Sequence, residues 1–462
     1  MNDDQSKKEL SRRSLLARGS AALAGGALLV SGENAHATTM PAMPAGPAPT
    51  DPTDGWTGTA SGYHPVVVPN GWKLPWKMVG GAKVFHMVAE PVDHELAPGI
   101  KAHCWGYNGR VHGPVIEAVE GDLVRIYVTN RLPEGTSVHW HGLFLPNGMD
   151  GVAGLNQKAI EPGETYKCEF RLRQHGTFMY HAHHDEMTQM ALGMTGMFII
   201  HPRKLVGARI DRDFVLLLHE WRIDPGTMRP NPIEMTEFNM LTVNAKAYPG
   251  TEPLVVKLGE RVKLRIGNLS AMDHHPIHIH GHAFKITETD GGHIPESAQW
   301  PETTVLVATG QTRCVEFVAD APGDWALHCH MTHHVMNQMG HSAPNLIGVK
   351  AGGFDDKLRG LLPGYMTMGQ DGMGDMSEPS MPVPTNSIPM LGGKGKHDVI
   401  TMGGMFTVVK VREHLGSYAD PGWYENPPGT LVGAASPGDI ARDGIDPDLP
   451  PPAWAGSSSR SA

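Results

Sequence analysis

The sequence contains few cysteines, few aromatic residues and no excess of positive charge. Four cysteines occur in 462 residues, aromatic residues make up 6%, and the formal net charge is −10. So few cysteines argue against a small fold held together by disulfide bonds. The lack of a basic block argues against nucleic-acid binding. Beyond the N-terminal region no apolar run is long enough to cross a bilayer, so we expect no membrane-spanning segment in the body of the chain.

Glycine and proline, in contrast, are abundant, with 56 and 38 residues. This composition favours many short strands joined by turns, and the chain is long enough for two or three domains. Alternating apolar and polar runs occur in two series, the first from about residue 80 to 202 and the second after it. The run "VIEAVEGDLVRIYVTNRL" in the first series parallels "PLVVKLGERVKLRIGNLS" in the second. An internal duplication of one β-sandwich explains both series.

The two ends of the chain differ from this repeated body. Residues 1–37 contain Arg12 and Arg13, the apolar stretch "AALAGGALLV" and the small-residue sequence "AHA". Together these predict a cleaved twin-arginine signal peptide rather than a membrane anchor, and hence a periplasmic or extracellular protein. We expect a linker at 38–61, sandwich domains at 62–205 and 206–350, and an extended Met-, Gly- and Pro-rich tail at 351–462. The strand-like run "MFTVVKVR" falls within that tail.

Histidines form four clusters, most of them in or beside strand-like sequence: "HWHG", "YHAHH", "HPIHIHGH" and "HCHMTHHVMNQM". On a strand, residues i and i+2 point to the same face, about 6.6 Å apart, and residue i+1 points to the other face. Each H-x-H pair therefore presents two imidazoles to one side, where they are well placed to bind neighbouring metal ions. In the last cluster, His328 and His330 face one way and Cys329 faces the other.

Cys329 can be combined with three other side chains into one metal site. His275, His334 and Met339 complete a set of two nitrogens, one thiolate and one weak thioether, which is the ligand set of a blue copper centre. A single H-x-H pair is weak evidence, because such pairs also occur on surfaces and in cupin or zinc sites. Four clusters in duplicated positions make that alternative a poor explanation.

In these motifs the sequence resembles the multicopper oxidases, a family that includes laccases, ferroxidases and cuprous oxidases, over roughly residues 80–350. The resemblance implies two Greek-key, cupredoxin-like β-sandwiches and four copper ions per chain. It also implies that one-electron oxidation of a phenolic, aromatic or metal-ion substrate is coupled to the four-electron reduction of dioxygen to water. The implied ligands are His275, Cys329, His334 and Met339 for type 1 copper, His139 and His278 for type 2 copper, and His141, His181, His183, His280, His328 and His330 for the type 3 pair.

The spacing of the clusters resembles the two-domain subclass of this family, since too few positions separate His139 from His275 for an intervening sandwich. Ala182 stands where the second half has Cys329, so only the second domain can hold type 1 copper. In that subclass the trinuclear site lies between two subunits, which implies a ring-shaped homotrimer. Asp150 matches the family's acid near the cluster and implies a proton relay, although its local sequence also suits an Asx–Gly turn.

The residues leave some functional alternatives open. A copper nitrite reductase would carry its type 1 cysteine in the first domain and lack type 3 ligands, and a non-catalytic copper carrier would not need ligands arranged across two domains. The methionines between residues 366 and 390 suit a flexible linker or a Cu(I)-binding segment, and the latter would favour a cuprous oxidase in copper tolerance. The sequence does not identify the reducing substrate. Cys168 is expected to be a buried core thiol, and Cys104, Cys168 and Cys314 allow at most one disulfide bond.

Overall fold

Two β-sandwiches follow one another along the chain in the computed structural model. The structure describes residues 64–448 except 225, 338–356, 358–359, 362–384, 387 and 389–391. The expected signal peptide and linker and Met339 lie outside the described residues. So does the Met-rich stretch at 366–390, apart from residues 385, 386 and 388. The prediction of an all-β fold built from sandwich domains is confirmed.

The first sandwich consists of a five-stranded and a four-stranded sheet. The larger sheet contains β1 (Trp76–Val79), β2 (Ala82–Ala97), β3 (Ile100–Tyr107), β5 (Leu123–Asn130) and β7 (Thr165–Arg171). The smaller sheet contains β4 (Ile116–Val119), β6 (Val138–His139), β8 (Gly176–Ala182) and β9 (Thr195–His201). Apolar side chains from both sheets meet between them, and Phe85, Ile126 and Phe198 are fully buried there. The alternation of apolar residues along each strand therefore produces the first core.

The second sandwich consists of a seven-stranded and a five-stranded sheet. The larger sheet contains β10 (Arg212–Trp221), β11 (Met240–Val243), β13 (Arg261–Asn268), β15 (Phe284–Thr289), β16 (Gly292–His293), β17 (Pro301–Glu302) and β19 (Thr312–Val318). The smaller sheet contains β12 (Leu254–Lys257), β14 (His275–Ile279), β18 (Thr304–Val307), β20 (Gly323–Cys329) and β23 (Phe406–Arg412). Its core lies between the two sheets, as in the first sandwich, and Cys329 belongs to it.

The strand β23 overturns the expected end of the second domain at residue 350. It pairs parallel with β12 and antiparallel with β20, and all of its residues are buried. In the first sandwich β9 makes the same two pairings, parallel with β4 and antiparallel with β8. The prediction that residues 351–462 form only an extended tail was therefore wrong for this strand. Its composition-based boundary failed because a long Met-, Gly- and Pro-rich segment separates β20 from the strand that completes its sheet.

Polar contacts repeat between the two sandwiches, as expected for an internal duplication. The side-chain oxygen of Asn130 accepts a hydrogen bond from the backbone N–H two residues later, and Asn268 does the same at the end of β13. His181 and His328 each place Nδ1 within 2.9 and 2.8 Å of the carbonyl oxygen of the following residue. The imidazoles of both sandwiches are thus held in one orientation by the same backbone contact.

A buried network of charges joins the sandwiches. Arg265 on β13 pairs with both carboxylate oxygens of Asp213, at 2.8 and 2.9 Å, and donates a hydrogen bond to the hydroxyl of Thr177 on β8. Lys263 pairs with the buried Glu288 in the same network. Because an unpaired buried charge is costly, this pairing ties the position of β8 to the second sandwich.

A second buried carboxylate lies inside the first sandwich. Glu117 on β4 accepts a hydrogen bond from His201 on β9 at 2.7 Å and forms an ion pair with Lys73 at 3.0 Å. Burial would raise the pKa of Glu117, but the contacts with His201 and Lys73 more than offset it and lower the pKa to about 2. Glu117 is therefore a charged group that links the strands of the smaller sheet.

The remaining elements are short. They comprise the helices α1 (Glu186–Ala191) and α2 (Pro437–Arg442), the 3-10 turns Asn147–Met149, Glu296–Ala298 and Thr332–Val335, and the hairpin of β21 (Gly393–Lys394) and β22 (Val399–Ile400). Within the described part of the chain, no helix has the length and apolar character needed to span a membrane. All four cysteines are free and buried, and Cys168 lies in the first core as predicted.

Candidate metal centres

Three buried side chains converge in the second sandwich. Cys329 ends β20, His275 begins the adjacent β14, and His334 lies in the 3-10 turn that follows β20. The Sγ atom of Cys329 lies 3.5 Å from Nδ1 of His334 and 3.7 Å from Nδ1 of His275, and the two nitrogens are 3.1 Å apart. Three such donors, each about 2.0–2.3 Å from one metal ion in a roughly tetrahedral arrangement, lie about 3.1–3.8 Å apart. The triangle therefore has the dimensions of a metal site.

The second nitrogen of each imidazole is held by an oxygen atom. Ser270 Oγ lies 2.7 Å from Nε2 of His275, and a carboxylate oxygen of Asp273 lies 3.3 Å from Nε2 of His334. Holding Nε2 in this way leaves Nδ1 directed at the thiol. Burial, and then the proximity of His334, lower the pKa of His275 to about 3, so this ring is neutral and can donate a lone pair.

The thiol itself needs a positive partner before it can ionise. Burial raises the pKa of Cys329 to about 12, so the proton is retained at neutral pH unless a cation replaces it.

Two coupled carboxyl groups, those of Glu220 and Asp273, lie near the triangle. Burial and then the charge of Asp273 raise the pKa of Glu220 to about 8, whereas the hydrogen bond from His334 lowers the pKa of Asp273 to about 2. Asp273 therefore stays charged beside His334.

The segment that leads into β23 closes this site. The carbonyl of Met405 accepts a hydrogen bond from the N–H of Cys329, and the N–H of Met405 donates one to the carbonyl of His334, both at 3.0 Å. Gly404 has a φ of +56°, and a Cβ there would lie 2.3 Å from the carbonyl oxygen of His334. Only glycine fits this close approach. Met339, the expected thioether ligand, lies outside the described residues.

Four histidines of the first sandwich form what we call the first cluster. Strand pairing places His139 on β6 directly opposite His181 on β8. The ring centroids of neighbouring members lie 5.4–5.7 Å apart, with His141 and His183 completing the group. One nitrogen from each of His139, His141 and His181 lies within 4.8 Å of the others, so these three could bind one ion. Burial lowers the pKa of His181 to about 3, which keeps its ring neutral.

Two carboxylates flank the first cluster. Nδ1 of His139 lies 2.8 Å from the carbonyl oxygen of Asp150 and 3.5 Å from its carboxylate. Glu186, the first residue of α1, lies 3.4 Å from Nδ1 of His181 and 3.6 Å from Nε2 of His183. Asp150 was among the predicted site residues, whereas Glu186 was missed. The one signal for Glu186 is its position three residues after His183, at the start of a helix.

Four histidines of the second sandwich form the second cluster. The register of β14 and β20 places His278 opposite His328, and the ring centroids of neighbouring members lie 4.8–5.7 Å apart, with His280 and His330 completing the group. Nδ1 of His278 lies 2.7 Å from the carbonyl oxygen of Thr303, and Nδ1 of His328 also meets a backbone carbonyl. These contacts leave Nε2 of both rings free to bind a metal ion. The second cluster thus repeats the design of the first.

The two clusters remain separate within one chain. Among the described residues, each contact between two imidazole rings of these groups joins members of the same cluster, and His328 also meets the ring of Phe406, with 6.5 Å between centroids. Each cluster is also open to solvent on part of its surface, since His139, His141 and His183 in the first and His278 and His330 in the second are not fully buried. A single copy therefore presents two separate clusters of four imidazoles each.

The fold and the Cys329 site define a class of protein, namely two β-sandwiches with a buried two-nitrogen, one-sulfur site in the second. Family models described as multicopper oxidase match residues 89–205 and 224–346. Copper resistance protein A from Escherichia coli is 29% identical, with 40% of this chain and 38% of that protein covered, and laccase-20 from Oryza sativa subsp. japonica is 30% identical, with 48% and 40% covered. The chain thus spans about two fifths of the length of these curated relatives.

Solved structures with the same architecture cover more of the chain. The blue copper oxidase from Nitrosomonas europaea is similar with a TM-score of 0.53 and 26% identity, over 71% of this chain and 85% of that one. The multicopper oxidase mgLAC gives a TM-score of 0.53 and 26% identity, over 72% and 87%. The chain belongs to the multicopper oxidase family, as the histidine motifs had indicated.

Proposed function

We propose that the protein is an exported copper oxidase that takes single electrons from a reducing substrate and uses four of them, with four protons, to reduce dioxygen to two waters. The observation that carries this proposal is the Cys329 triangle. Its thiol lies on the inner face of β20, and the two neighbouring residues on the chain, His328 and His330, belong to the second cluster. Membership of the multicopper oxidase family supports the same reaction.

The chemistry of the donor atoms fits copper. Two neutral imidazoles and a thiol that can lose its proton to a cation suit type 1 copper on His275, Cys329 and His334, with Met339 as the fourth ligand. Copper bound there would supply a one-electron acceptor, and copper bound by the imidazole clusters would supply the centre where dioxygen is reduced. The proposed ligands are His139 and His278 for type 2 copper and His141, His181, His183, His280, His328 and His330 for the type 3 pair, which makes four ions per chain.

The chain's own residues link the two proposed centres. Cys329 is joined to His328 and to His330 by single peptide units, so the path between the thiol and the second cluster is short and covalent. The carbonyl of Cys329 also accepts the Nδ1–H of His328 at 2.8 Å, which fixes that imidazole relative to the thiol. The rigid backbone of β20 thus holds the electron donor and acceptor sites at a constant separation.

The separation of the two clusters supports assembly with further copies of the chain. In this proposal the first cluster of one copy faces the second cluster of the next, which gives a homotrimer ring. Three large apolar side chains, Phe144, Leu155 and Met187, are exposed, where an isolated chain would gain nothing from them. Phe144 and Met187 follow His141 and His183 by three and four residues, and Leu155 lies two residues after Ala153, whose N–H bonds to the carbonyl of His183. Burial of this apolar rim against a neighbouring copy would stabilise the interface.

Protons must reach the clusters during the reaction. Asp150 is suited to this role, because its carboxylate lies 3.5 Å from His139 and is partly exposed to solvent. The carbonyl of Asp150 also accepts the Nδ1–H of His139, which leaves Nε2 of that ring to bind metal. We assign Asp150 as a proton relay between solvent and the first cluster.

The reducing substrate would bind near His334. Asp273, which contacts Nε2 of His334, is partly exposed, and the neighbouring Met272 is exposed, so a carboxylate and a thioether reach the surface next to the triangle. This combination suits a metal ion, Cu(I) included, at least as well as a phenol or an aromatic amine. Similarity to copper resistance protein A favours cuprous oxidation in copper tolerance as a second candidate function. The Met-rich stretch at 366–390 would then bind Cu(I), and its deletion would weaken the apparent affinity for that ion.

The location follows from the same reasoning. The signal-like residues 1–37 and the need to load copper into a folded protein favour export by the twin-arginine route to the periplasm or the extracellular space. Expression with Arg12 and Arg13 replaced by lysine would test the route. The protein should then remain inside the cell with residues 1–37 still attached.

The test of the proposal combines copper content with oxygen uptake. Purified protein should bind four copper ions per chain and consume one dioxygen for every four electrons taken from a phenol, Fe(II) or Cu(I), without releasing peroxide. Cys329→Ser should abolish the visible thiolate-to-copper absorption and substrate oxidation, whereas Cys168→Ser, a matched change in the core of the first sandwich, should leave both in place. Clearly fewer than four copper ions, or no oxygen uptake with any of these reductants, would indicate a copper carrier instead.

A further inference from the structure

The C-terminal part of the described chain contains a segment whose described hydrogen bonds and ion pairs are all local and whose residues are almost all exposed. We call residues 413–425 the strap and residues 426–448 the arm. The strap lies on the second sandwich, where Tyr418 packs over Arg212 and the N–H of Tyr424 donates a hydrogen bond to Asp324 at 2.7 Å. In the arm, every described hydrogen bond and ion pair joins residues no more than five positions apart.

The arm nevertheless carries features of a segment that packs against a surface. Leu431, Val432 and Ile445 are 56%, 93% and 61% exposed. Helix α2 has a Ser436 side chain that caps its first turn and a proline at its start, but none of its residues is buried. So short a helix is not stable alone in water, and none of its described hydrogen bonds or ion pairs reaches the body of its own copy.

The place where the arm leaves the body indicates what it meets. Asp324, which bonds to the strap, lies on β20, four residues before His328. Two strand residues at that spacing point to the same face of the sheet and lie about 13 Å apart. Between these two positions, the backbone carbonyl of Ala326 accepts a hydrogen bond from the backbone N–H of His280, a member of the second cluster. The strap from which the arm leaves is therefore anchored on the strand that carries the second cluster, and in the proposed function that cluster faces the first cluster of a neighbouring copy.

We infer that the arm is a clasp for a second copy of this chain, and that its aliphatic residues cover the apolar rim of Phe144, Leu155 and Met187 beside the neighbour's first cluster. The acidic residues of the arm all lie in its far half, from Asp439 onward. Leu431 and Val432, in contrast, lie within eight residues of the strap, in reach of the first cluster of the facing copy. Among the described residues, the side chains of the rim and Leu431, Val432 and Ile445 of the arm are exposed in their own copy. This inference rests on the proposed assembly and assigns the surfaces that hold it together.

Cross-linking tests the contact directly. All four native cysteines are buried, so Val432→Cys provides one accessible thiol for a reagent that carries a maleimide and a benzophenone. In a mixture of isotopically heavy and light copper-loaded protein, irradiation should join the heavy arm to light peptides from residues 142–157 or 185–192. Cross-links confined to one copy, or joined to other regions, would overturn the inference.

Truncation and substitution measure the strength of the contact. A chain that ends at Glu425 should assemble at least tenfold more weakly than the full chain in sedimentation equilibrium, whereas a chain that ends at Asp448 should assemble normally. Val432→Asp should weaken assembly in the same direction, and Ile233→Asp, a comparable exposed aliphatic position on another loop, should not. Equal assembly of the Glu425 truncation and the full chain would overturn the role of the arm.

These outcomes separate the arm from the enzyme. If the truncated and full chains assemble equally and both bind four copper ions and reduce dioxygen, the arm has no role and the proposed function stands. If the full chain assembles through the arm but binds copper only at Cys329 and consumes no oxygen, the clasp stands and the proposed function fails.

Discussion

Removal of strand β23 should unfold the second sandwich, although the strand lies far from the rest of that domain in sequence. Truncation after Ile400 removes the side chains of Phe406, Val408, Val409 and Val411, all of which are buried. Each such side chain contributes about 1.5–3 kcal/mol when fully buried, so the loss amounts to about 6–12 kcal/mol. This approaches the whole stability of a typical domain, about 5–15 kcal/mol. The truncation also leaves β12 and β20 without their shared hydrogen-bonding neighbour.

The measurement is denaturant unfolding followed by circular dichroism, together with metal binding at Cys329. We expect the truncated chain to lose the cooperative transition of the second sandwich and the thiolate–copper absorption, because Met405 no longer bonds to Cys329 and His334. The control ends at Asp448 and keeps β23, the strap and the arm. A chain truncated after Ile400 that unfolds at the same denaturant midpoint as this control would refute the assignment of β23 to the core. The milder Val409→Ala change should lower the free energy of unfolding by about 2 kcal/mol.

Three further substitutions have expected outcomes. Gly404→Ala should displace the backbone of His334 and therefore shift or abolish the thiolate–copper absorption. It should also lower the unfolding free energy by about 2 kcal/mol or more, because alanine would have to adopt a left-handed backbone conformation and its Cβ would clash with His334. Asp150→Asn should slow oxygen reduction at least tenfold while leaving thiolate–copper absorption and substrate-dependent reduction of that centre unchanged, as single-turnover kinetics would reveal. The folded-state pKa of Glu117 lies at about 2, below its unfolded value. Its contribution to the free energy of unfolding is therefore complete above about pH 4.5 and is lost as the pH falls toward 2. Glu117→Gln should remove about 1–3 kcal/mol of unfolding free energy at pH 6 and flatten that acid dependence.

The geometry of the site could be predicted most reliably where it depends on a single strand. The alternation along β20 alone placed Cys329 on the face opposite to His328, and the structure has the thiol in the core. The prediction that Cys329, His275 and His334 form one site rested on the ligand set of a blue copper centre. It requires the pairing of β14 with β20, which only the structure provides. The three donor atoms do lie together, although which metal they bind is a proposal.

Groups that depend on the return of a distant segment could not be predicted. Met405, which bonds to both Cys329 and His334, belongs to the chain after a long insertion whose composition resembles a linker. Ser270 and Asp273 hold the two imidazoles through loop contacts that have no strand periodicity, so no sequence pattern indicates them. The fold could therefore be predicted where local alternation fixes it, and not where long-range pairing completes it.

The first sandwich shows why duplication of the fold did not duplicate the Cys329 site. Thr136 precedes His139 by the same three positions by which His275 precedes His278, and Ala182 occupies the position of Cys329. The third member of the group is Gln189 on α1, whose side-chain oxygen accepts a hydrogen bond from Thr136 at 2.7 Å; both side chains are fully buried. A neutral hydrogen-bonded pair thus fills the space where the second sandwich has two imidazoles.

This substitution pattern predicts that a thiol alone cannot create a second centre of the same kind. Ala182→Cys adds a buried sulfur, but a hydroxyl and an amide are hard, neutral neighbours that neither lower the pKa of the thiol nor bind a soft cation with it. We expect the copper content per chain and the thiolate–copper absorption to equal those of the parent protein in metal titrations. A second absorption of similar intensity in Ala182→Cys would contradict this reasoning, because it would mean that cysteine on a strand beside the histidine cluster suffices. The imidazoles of His275 and His334, oriented by Ser270 and Asp273, would then not be required to make Cys329 a metal ligand.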